Sequence, residues 1–556
     1  MVRTTSRRFH ARTFGAGLLT AGAGWAMAGP GDRPLHGAAL MAGGIAVAAG
    51  MVWWRWRPTA GSRGLIGAWD RKSARNAGTA SWWDIIRTSS PWAMRRKATV
   101  LRPSLQTVSW WRRWRTPVLS YATPLCRVGT RTVWTSAEES TLRVGIPGTG
   151  KTAELACRVI DAPGGVLVTS TSTDLYDLTA PVRRGRGPVA VFNPGGIGAI
   201  ASTLRWSPLT GCTDPSTAAR RAVDLIGPEA SAEGERWNVQ ARRVLAVLLH
   251  AAALGGHRMS TVAAWVANPD LGKGEILTAL DASPQAVQMR QAAEQALTLT
   301  ARTRDGVMLA IAPALAWVTQ PAAALAGDPD PGEDLFAVAD LTDSSGAVYL
   351  LGDDDGTVAP LVAALVCEVT HQARQVDSTR PGGRLDPGLT LALDEIALVC
   401  PTPLDRWMAE LRKRSIVIHA ACQGLGQLRQ RWGDNGASMI LNSAAAVLVF
   451  GGCKDAADLA LFGDLAGQRE ETAPVYDADG RLSSTSTRRV PVIPPAMLAG
   501  LPNHHALLIR RGMPVALART PIAWRRRDVR RRTRPAKAPA VSRVRVFRRT
   551  KAQVPA

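Results

Sequence analysis

The string Gly145-Ile146-Pro147-Gly148-Thr149-Gly150-Lys151-Thr152, a complete G-x-x-x-x-G-K-T preceded by the short apolar strand candidate Leu142–Val144, restricts this chain more than any other feature. Glycines let a loop close around a phosphate without side-chain clash, so that backbone N–H groups and the following helix N-terminus bind the anion. Gly145, Pro147, Gly148, Thr149 and Gly150 supply that loop. Lys151 would reach the β- and γ-phosphates, and Thr152 would offer its hydroxyl to Mg²⁺. With 52 glycines in the chain, one such string can arise by chance, so the reading needs support elsewhere.

Support comes from Leu389-Thr390-Leu391-Ala392-Leu393, an apolar strand candidate closed by Asp394-Glu395. An acidic pair often ends a strand, but beside a complete P-loop it reads as a Walker B motif. Asp394 would orient the water shell of the magnesium and Glu395 would polarise the attacking water. A further strand candidate, Ile416–Ala421, ends at Cys422-Gln423. The Gln423 amide there would sense the γ-phosphate or hold the water; a helix-capping or surface glutamine is the plainer reading. Arg412-Lys413-Arg414 lies between the helix candidate Leu404–Leu411 and this strand, either as a solvated basic turn or as a source of a cation for a neighbouring subunit's nucleotide. Such a finger contributes roughly 10³-fold or more to hydrolysis. The candidate catalytic set is therefore Lys151, Asp394, Glu395, Gln423 and Arg412, with Thr152 and Asp394 at the metal and ATP with Mg²⁺ as cofactors.

Apolar runs at Val166–Val168, Val189–Phe192, Val348–Leu351, Ala446–Phe450 and Ala506–Ile509 alternate with helical patterns. This alternation predicts an α/β fold with a largely parallel sheet. Between about Cys212 and Asp334 strand signals fade and helical spacing takes over, as in Trp237, Ala241, Val244, Leu245 and Leu248, which predicts an inserted all-α domain. Beyond about Trp524 the Arg-rich composition suits a disordered cationic tail, compatible with nucleic acid, acidic lipid or plain solvation.

Near the start, two apolar stretches, Phe14–Pro30 and Leu35–Trp54, flank Gly31-Asp32-Arg33-Pro34 and read as an N-terminal transmembrane helical hairpin. A bilayer core of about 30 Å needs roughly 20 helical residues, a length the second stretch meets and the first approaches. Basic residues at both outer ends place them in the cytoplasm by the positive-inside tendency, with the large body inside the cell membrane. The alternative is a cleaved signal peptide, suggested by Ser6-Arg7-Arg8 and Ala26-Met27-Ala28. From Pro58 to about Thr130 the chain is basic and carries Trp82-Trp83, Trp92, Trp110-Trp111 and Trp114. Indoles at a membrane interface explain this, and a base-stacking DNA surface is the alternative.

The formal net charge of +24, from 68 Lys+Arg against 44 Asp+Glu, favours a polyanionic partner or an acidic membrane surface. Seven scattered cysteines contain no C-x-x-C pair, which points to reduced core thiols rather than zinc or redox chemistry. The eight histidines are equally dispersed, His504-His505 being the one adjacent pair. The expected organisation is a membrane anchor at 1–57, a juxtamembrane segment at 58–130, the nucleotide-binding domain at 131–211 and 336–523, the all-α insertion at 212–335, and the tail at 524–556.

In order and content these motifs resemble the coupling proteins of conjugative type IV secretion systems, the TraG/TraD type, over about residues 130–525 plus the anchor. Smaller segments agree: Val168-Thr169-Ser170 with Asp174-Leu175, Phe192-Asn193-Pro194, Trp206-Ser207-Pro208-Leu209, and Leu501-Pro502-Asn503-His504-His505-Ala506-Leu507-Leu508. The resemblance implies a RecA-like nucleotide-binding domain, a homo-hexameric ring, and ATP-driven delivery of a relaxase-bound, single DNA strand to the secretion channel. Relaxase and relaxosome proteins, channel components, DNA and the membrane are the implied partners. By position Arg412 matches the family's finger and Gln423 its sensor; where many members carry a lysine, this chain has Ser172. A double-strand DNA pump of the chromosome-segregation kind and a non-catalytic membrane receptor for secretion substrates are the competing readings.

Overall fold

The computed structural model describes Ala42, Ile45 and residues 78–229, 231–330, 336, 338–353, 355–378, 383–476 and 482–532. Contacts divide the chain into two units, residues 1–73 and 74–556. The two apolar stretches of the expected hairpin fall outside the described residues, apart from Ala42 and Ile45 in a helix. Among the described residues no single helix is long and apolar enough to cross a membrane; one bent pair, Ala301–Thr319 and Pro321–Gly327, meets the length and composition at a 95° break.

The unit 74–556 is built on strands β1 (Ala122–Val128), β2 (Arg131–Ser136), β3 (Thr141–Val144), β4 (Val166–Ser170), β5 (Val189–Phe192), β6 (Ala347–Leu351), β7 (Leu389–Leu393), β8 (Ile416–Cys422), β9 (Ala446–Phe450), β12 (His505–Arg510) and β13 (Ala516–Arg519). They form one eleven-stranded sheet in the order β2-β1-β13-β12-β9-β3-β8-β7-β4-β6-β5. From β9 to β5 every neighbouring pair is parallel. From β9 to β2 every pair is antiparallel. Strands β10 (Gln468–Tyr476) and β11 (Leu482–Pro491) make a separate two-stranded ribbon.

Every residue of β7, β8 and β9 is buried. This is the behaviour of parallel strands covered on both faces, and it explains why those segments read as largely apolar runs. Helices cover the faces; Leu155, Ala156, Cys157 and Val159 of one of them join Val166, Val168, Tyr349 and Ala392 of the sheet in a single cluster. Each fully buried Leu or Val there contributes roughly 1.5–3 kcal/mol.

Between β5 and β6 the regular elements among the described residues are all helical, from Pro215–Leu225 to Val338–Thr342. The 23-residue helix Ala232–Leu254 is the axis against which Pro215–Leu225, Pro269–Leu280 and Ala301–Leu315 pack. Arg221 fastens this block to the α/β body: its guanidinium donates to Glu368 at 2.8 Å and to the Pro208 carbonyl at 3.1 Å, and lies over the Trp206 ring at 4.6 Å.

Two expectations about the flanks need correction. Residues 122–130, expected in the juxtamembrane segment, belong instead to the β1–β2 hairpin of 122–136, which β13 joins to the main sheet. Pro124 and the register shift beside it break the alternation that would have signalled a strand. The tail does not become irregular at 524: a 3₁₀ turn, Ala523–Arg525, leads into helix Arg527–Arg532. Arg526 there grips Asp161 through two bonds of 2.7 Å, and Val529 is buried against Ile160 and Val182. The segment rich in tryptophan folds into short helices, Trp82–Ser89, Pro91–Arg96, Ala98–Leu101 and Trp110–Arg115, over a small core of Met94, Leu101, Leu105 and Tyr121. Trp82, Trp83, Trp92, Trp110, Trp111 and Trp114 all stay exposed.

Candidate functional site

Three loops leave the carboxyl ends of parallel strands together: the P-loop after β3, Asp394-Glu395 after β7, and Gln423 after β8. Crevices at such strand ends are where open α/β sheets bind ligands. Gly148 and Gly150 take left-handed φ values of 79° and 111°, which fold the loop back on itself before helix Lys151–Asp161. Gly150 caps that helix without a side-chain hydrogen bond, so its first N–H groups remain available to an anion. Thr149 Oγ1 donates to the Ile146 carbonyl at 2.8 Å and fixes the turn.

Lys151 is buried, its ammonium donating to the Gly145 carbonyl and standing 3.9 Å from Glu395 Oε1. Thr152 Oγ1 donates to Asp394 Oδ2 at 3.1 Å, and the Glu395 N–H donates to Asp394 Oδ1 at 3.2 Å. Gln423 Nε2 donates to Glu395 Oε2 at 3.2 Å. Burial and the neighbouring Glu395 carboxylate push the Asp394 carboxyl up to about 6, against the opposing pull of Lys151 and Thr152. A buried carboxyl with incomplete counter-charge beside a threonine hydroxyl has the hard oxygen donors that Mg²⁺ prefers. Glu395 itself sits at φ 44°, a left-handed conformation that a glutamate adopts only where its surroundings impose it.

Thus Lys151, Thr152, Asp394, Glu395 and Gln423 meet in one place. Arg412 does not join them. It lies in the turn Leu411–Arg414 before β8, whereas Gln423 follows β8, so the strand's length of roughly 20 Å separates them. Arg412 is 45% exposed, with Nε 3.8 Å from Glu138, and can reach a nucleotide only if that nucleotide belongs to another subunit. Ser172 packs locally, its N–H donating to Ser170 Oγ at 3.2 Å. The Asn193 of Phe192-Asn193-Pro194 pins the loop that follows β5, its amide donating to the Ile197 and Ile200 carbonyls at 3.0 and 2.7 Å.

Beneath the P-loop lies a charged network that motif reading missed. Glu154, in the helix that the P-loop opens, is fully buried between Arg143 of β3 and Arg158, the latter donating at 2.8 Å. Arg158 also reaches Thr123 and Thr135, and Thr141 joins His419 of β8 to Arg143. Burial raises the Glu154 carboxyl, but the two guanidiniums outweigh it and hold it below the usual range. Burial, with Arg158 and Arg143 adding to it, drives the His419 imidazole well below its ordinary value. The signal in the sequence was an arginine inside the apolar strand Leu142-Arg143-Val144. A second unforeseen support is His504, whose N–H donates to the Thr149 carbonyl at 2.8 Å.

Residues 388–503, which include β7, β8 and β9, match the family model described as the TraM recognition site of TraD and TraG. No curated protein sequence matches the chain significantly. Among solved structures, the bacterial conjugative coupling protein TrwBdeltaN70 in its unbound monoclinic form superposes with a TM-score of 0.52 at 19% identity, over 77% of this chain and 91% of that one. The plasmid coupling protein TrwB with the non-hydrolysable ATP analogue ADPNP gives 0.53 at 18%, over 72% and 89%. The same protein with ADP and Mg²⁺ gives 0.51 at 19%, over 72% and 89%. The chain therefore has the fold of these proteins, a mixed α/β body around a large parallel sheet, together with a TraG/TraD sequence match over residues 388–503.

Proposed function

From that fold and that match, we infer that the chain is a type IV coupling protein: a P-loop ATPase that couples ATP hydrolysis to delivery of a relaxase-bound DNA strand into a conjugative secretion channel. The observation that carries the reading is the convergence of Lys151, Thr152, Asp394, Glu395 and Gln423 at the carboxyl edge of the sheet.

The loop Gly145–Thr152 would bind the phosphates of ATP through its N–H groups, with Lys151 moving its ammonium from the Gly145 carbonyl to the β- and γ-oxygens. Thr152 and Asp394 would hold Mg²⁺, which neutralises phosphate charge when bound. Glu395 would then orient and polarise the attacking water, its carboxylate positioned by Gln423 and by the strained backbone. Gln423 would exchange Glu395 for the γ-phosphate and so report the state of the nucleotide. Arg412, remote from its own loop, would complete a neighbour's site, which requires a closed ring; a homo-hexamer is the assembly the resemblance implies.

In this reading the N-terminal stretches anchor the protein in the cell membrane with the motor in the cytoplasm, and the exposed tryptophans and arginines of 82–115 lie towards the lipid headgroups. The family match over residues 388–503 supports a relaxosomal partner. The test is conjugative transfer frequency with wild type and Lys151→Ala at matched membrane levels. Transfer should collapse in the variant; unchanged transfer would mean that this chain is not the motor and would favour a receptor role.

A further inference from the structure

We propose that Trp524, backed by His504, is the shelf on which the purine base of the bound nucleotide stacks; the inference rests on the P-loop reading and adds the base subsite to it. The direction in which a nucleotide must lie sets the place to look. Walker-type residues of β7 and β8 lie on one side of β3, and β9, β12 and β13 lie on the other. With the γ-phosphate towards Glu395 and Gln423, the ribose and base run the opposite way, past Thr149 and Gly150.

His504 stands at that point. Its N–H donates to the Thr149 carbonyl at 2.8 Å, and its carbonyl accepts from the Thr520 N–H at 2.9 Å. A Cβ on Gly150 would fall 2.5 Å from His504 Nδ1, so the imidazole lies directly against the loop. These contacts hold His504 at φ 63°. Pairing of His505 with Arg519 brings the end of β13 to the same edge, and the chain turns there into Ala523–Arg525. Ala523 is buried with Leu155 and Ala156 of the P-loop helix. Its neighbour Trp524 packs edge-on to His504, 5.6 Å between ring centroids at 71°, and remains 46% exposed.

A tryptophan held on a rigid support but left half uncovered beside a phosphate loop has the form of a stacking platform. Base–aromatic stacking strengthens binding by about fivefold to a hundredfold. An indole face accepts any purine, so adenine and guanine nucleotides should bind with similar affinity.

Calorimetry on the full chain in nanodiscs compares ATP with inorganic tripolyphosphate, both with Mg²⁺, for wild type, Trp524→Ala and Trp524→Phe. Trp524→Ala should weaken ATP about tenfold and leave tripolyphosphate unchanged, with Trp524→Phe restoring most of the loss. Equal weakening of both ligands would assign Trp524 to support of the loop and overturn the proposal, as would unaltered ATP affinity. Wild type that binds neither ligand would overturn the P-loop reading and this inference with it.

Discussion

Replacing Glu154 with glutamine should be among the most destabilising conservative changes in this protein, although the residue touches no nucleotide in the proposed mechanism. Arg143 and Arg158 are 0% and 1% exposed, and Glu154 is their shared counter-ion. Removing one partner of a buried ion cluster costs about 3–5 kcal/mol, because the remaining charges stay buried without compensation. A Coulomb estimate agrees: two unit charges about 4 Å apart at an effective dielectric constant of 20 interact by roughly 4 kcal/mol. At about 2 °C per kcal/mol for a large domain, the melting temperature at pH 7 should fall by roughly 6–10 °C. Thermal melts followed by circular dichroism measure this directly. The Glu154 carboxyl lies below its unfolded value, so its contribution is present above the unfolded pKa and disappears as pH falls through the folded one. The gap between wild type and Glu154→Gln should accordingly close in acid. A triple change to apolar residues, Arg143→Met with Glu154→Leu and Arg158→Met, should be milder than Glu154→Gln alone. A melting temperature for Glu154→Gln within about 2 °C of wild type would refute this account of what holds the P-loop helix in place.

Asp394 behaves in the opposite sense. Its folded-state pKa of about 6 lies above the ordinary value, so ionisation costs stability as pH rises towards 6, and the full cost persists above it. Asp394→Asn should therefore stabilise the nucleotide-free protein at pH 7.5 by on the order of 3 kcal/mol, with little gain near pH 4, while ATP hydrolysis is lost; paired melts at the two pH values and a phosphate-release assay check both halves. If the proposed ring forms, Arg412→Ala should leave nucleotide affinity intact and lower its hydrolysis about 10³-fold, as read by steady-state phosphate release. Arg526→Ala should lower the melting temperature, since it leaves Asp161 buried without its bidentate partner; thermal melts of the variant against wild type measure the loss.

Much of the candidate site was legible because its constraints are local. A phosphate loop needs its glycines and lysine in fixed order, and strands buried on both faces are dominated by apolar residues, so β7, β8 and β9 read as strands and β3, despite Arg143, is marked by the loop that follows it. The outer antiparallel strands do not, although β12 does: β1 carries Pro124 and the exposed Arg127, and β13 is four residues long, so neither period nor length marks them as strands. Arg526 and Arg532 looked like solvated charge because composition cannot tell an arginine that clamps Asp161 or the Val182 carbonyl from one in water. The Arg143–Glu154–Arg158 cluster depends on three residues from two elements meeting in the interior, and no spacing rule encodes that. Arg412 is the reverse case, a residue whose proposed role lies outside the single chain.

The helical block enters from β5 and hands the chain back to β6, and these are adjacent parallel strands at the edge of the sheet. It stands where an ordinary right-handed crossover of about a dozen residues would suffice. Closing so much longer a connection costs only about 2 kcal/mol more, because closure entropy grows with the logarithm of length. The block can thus be lengthened, shortened or replaced between two neighbouring strand ends without disturbing the edge of the sheet where Lys151, Asp394 and Gln423 meet.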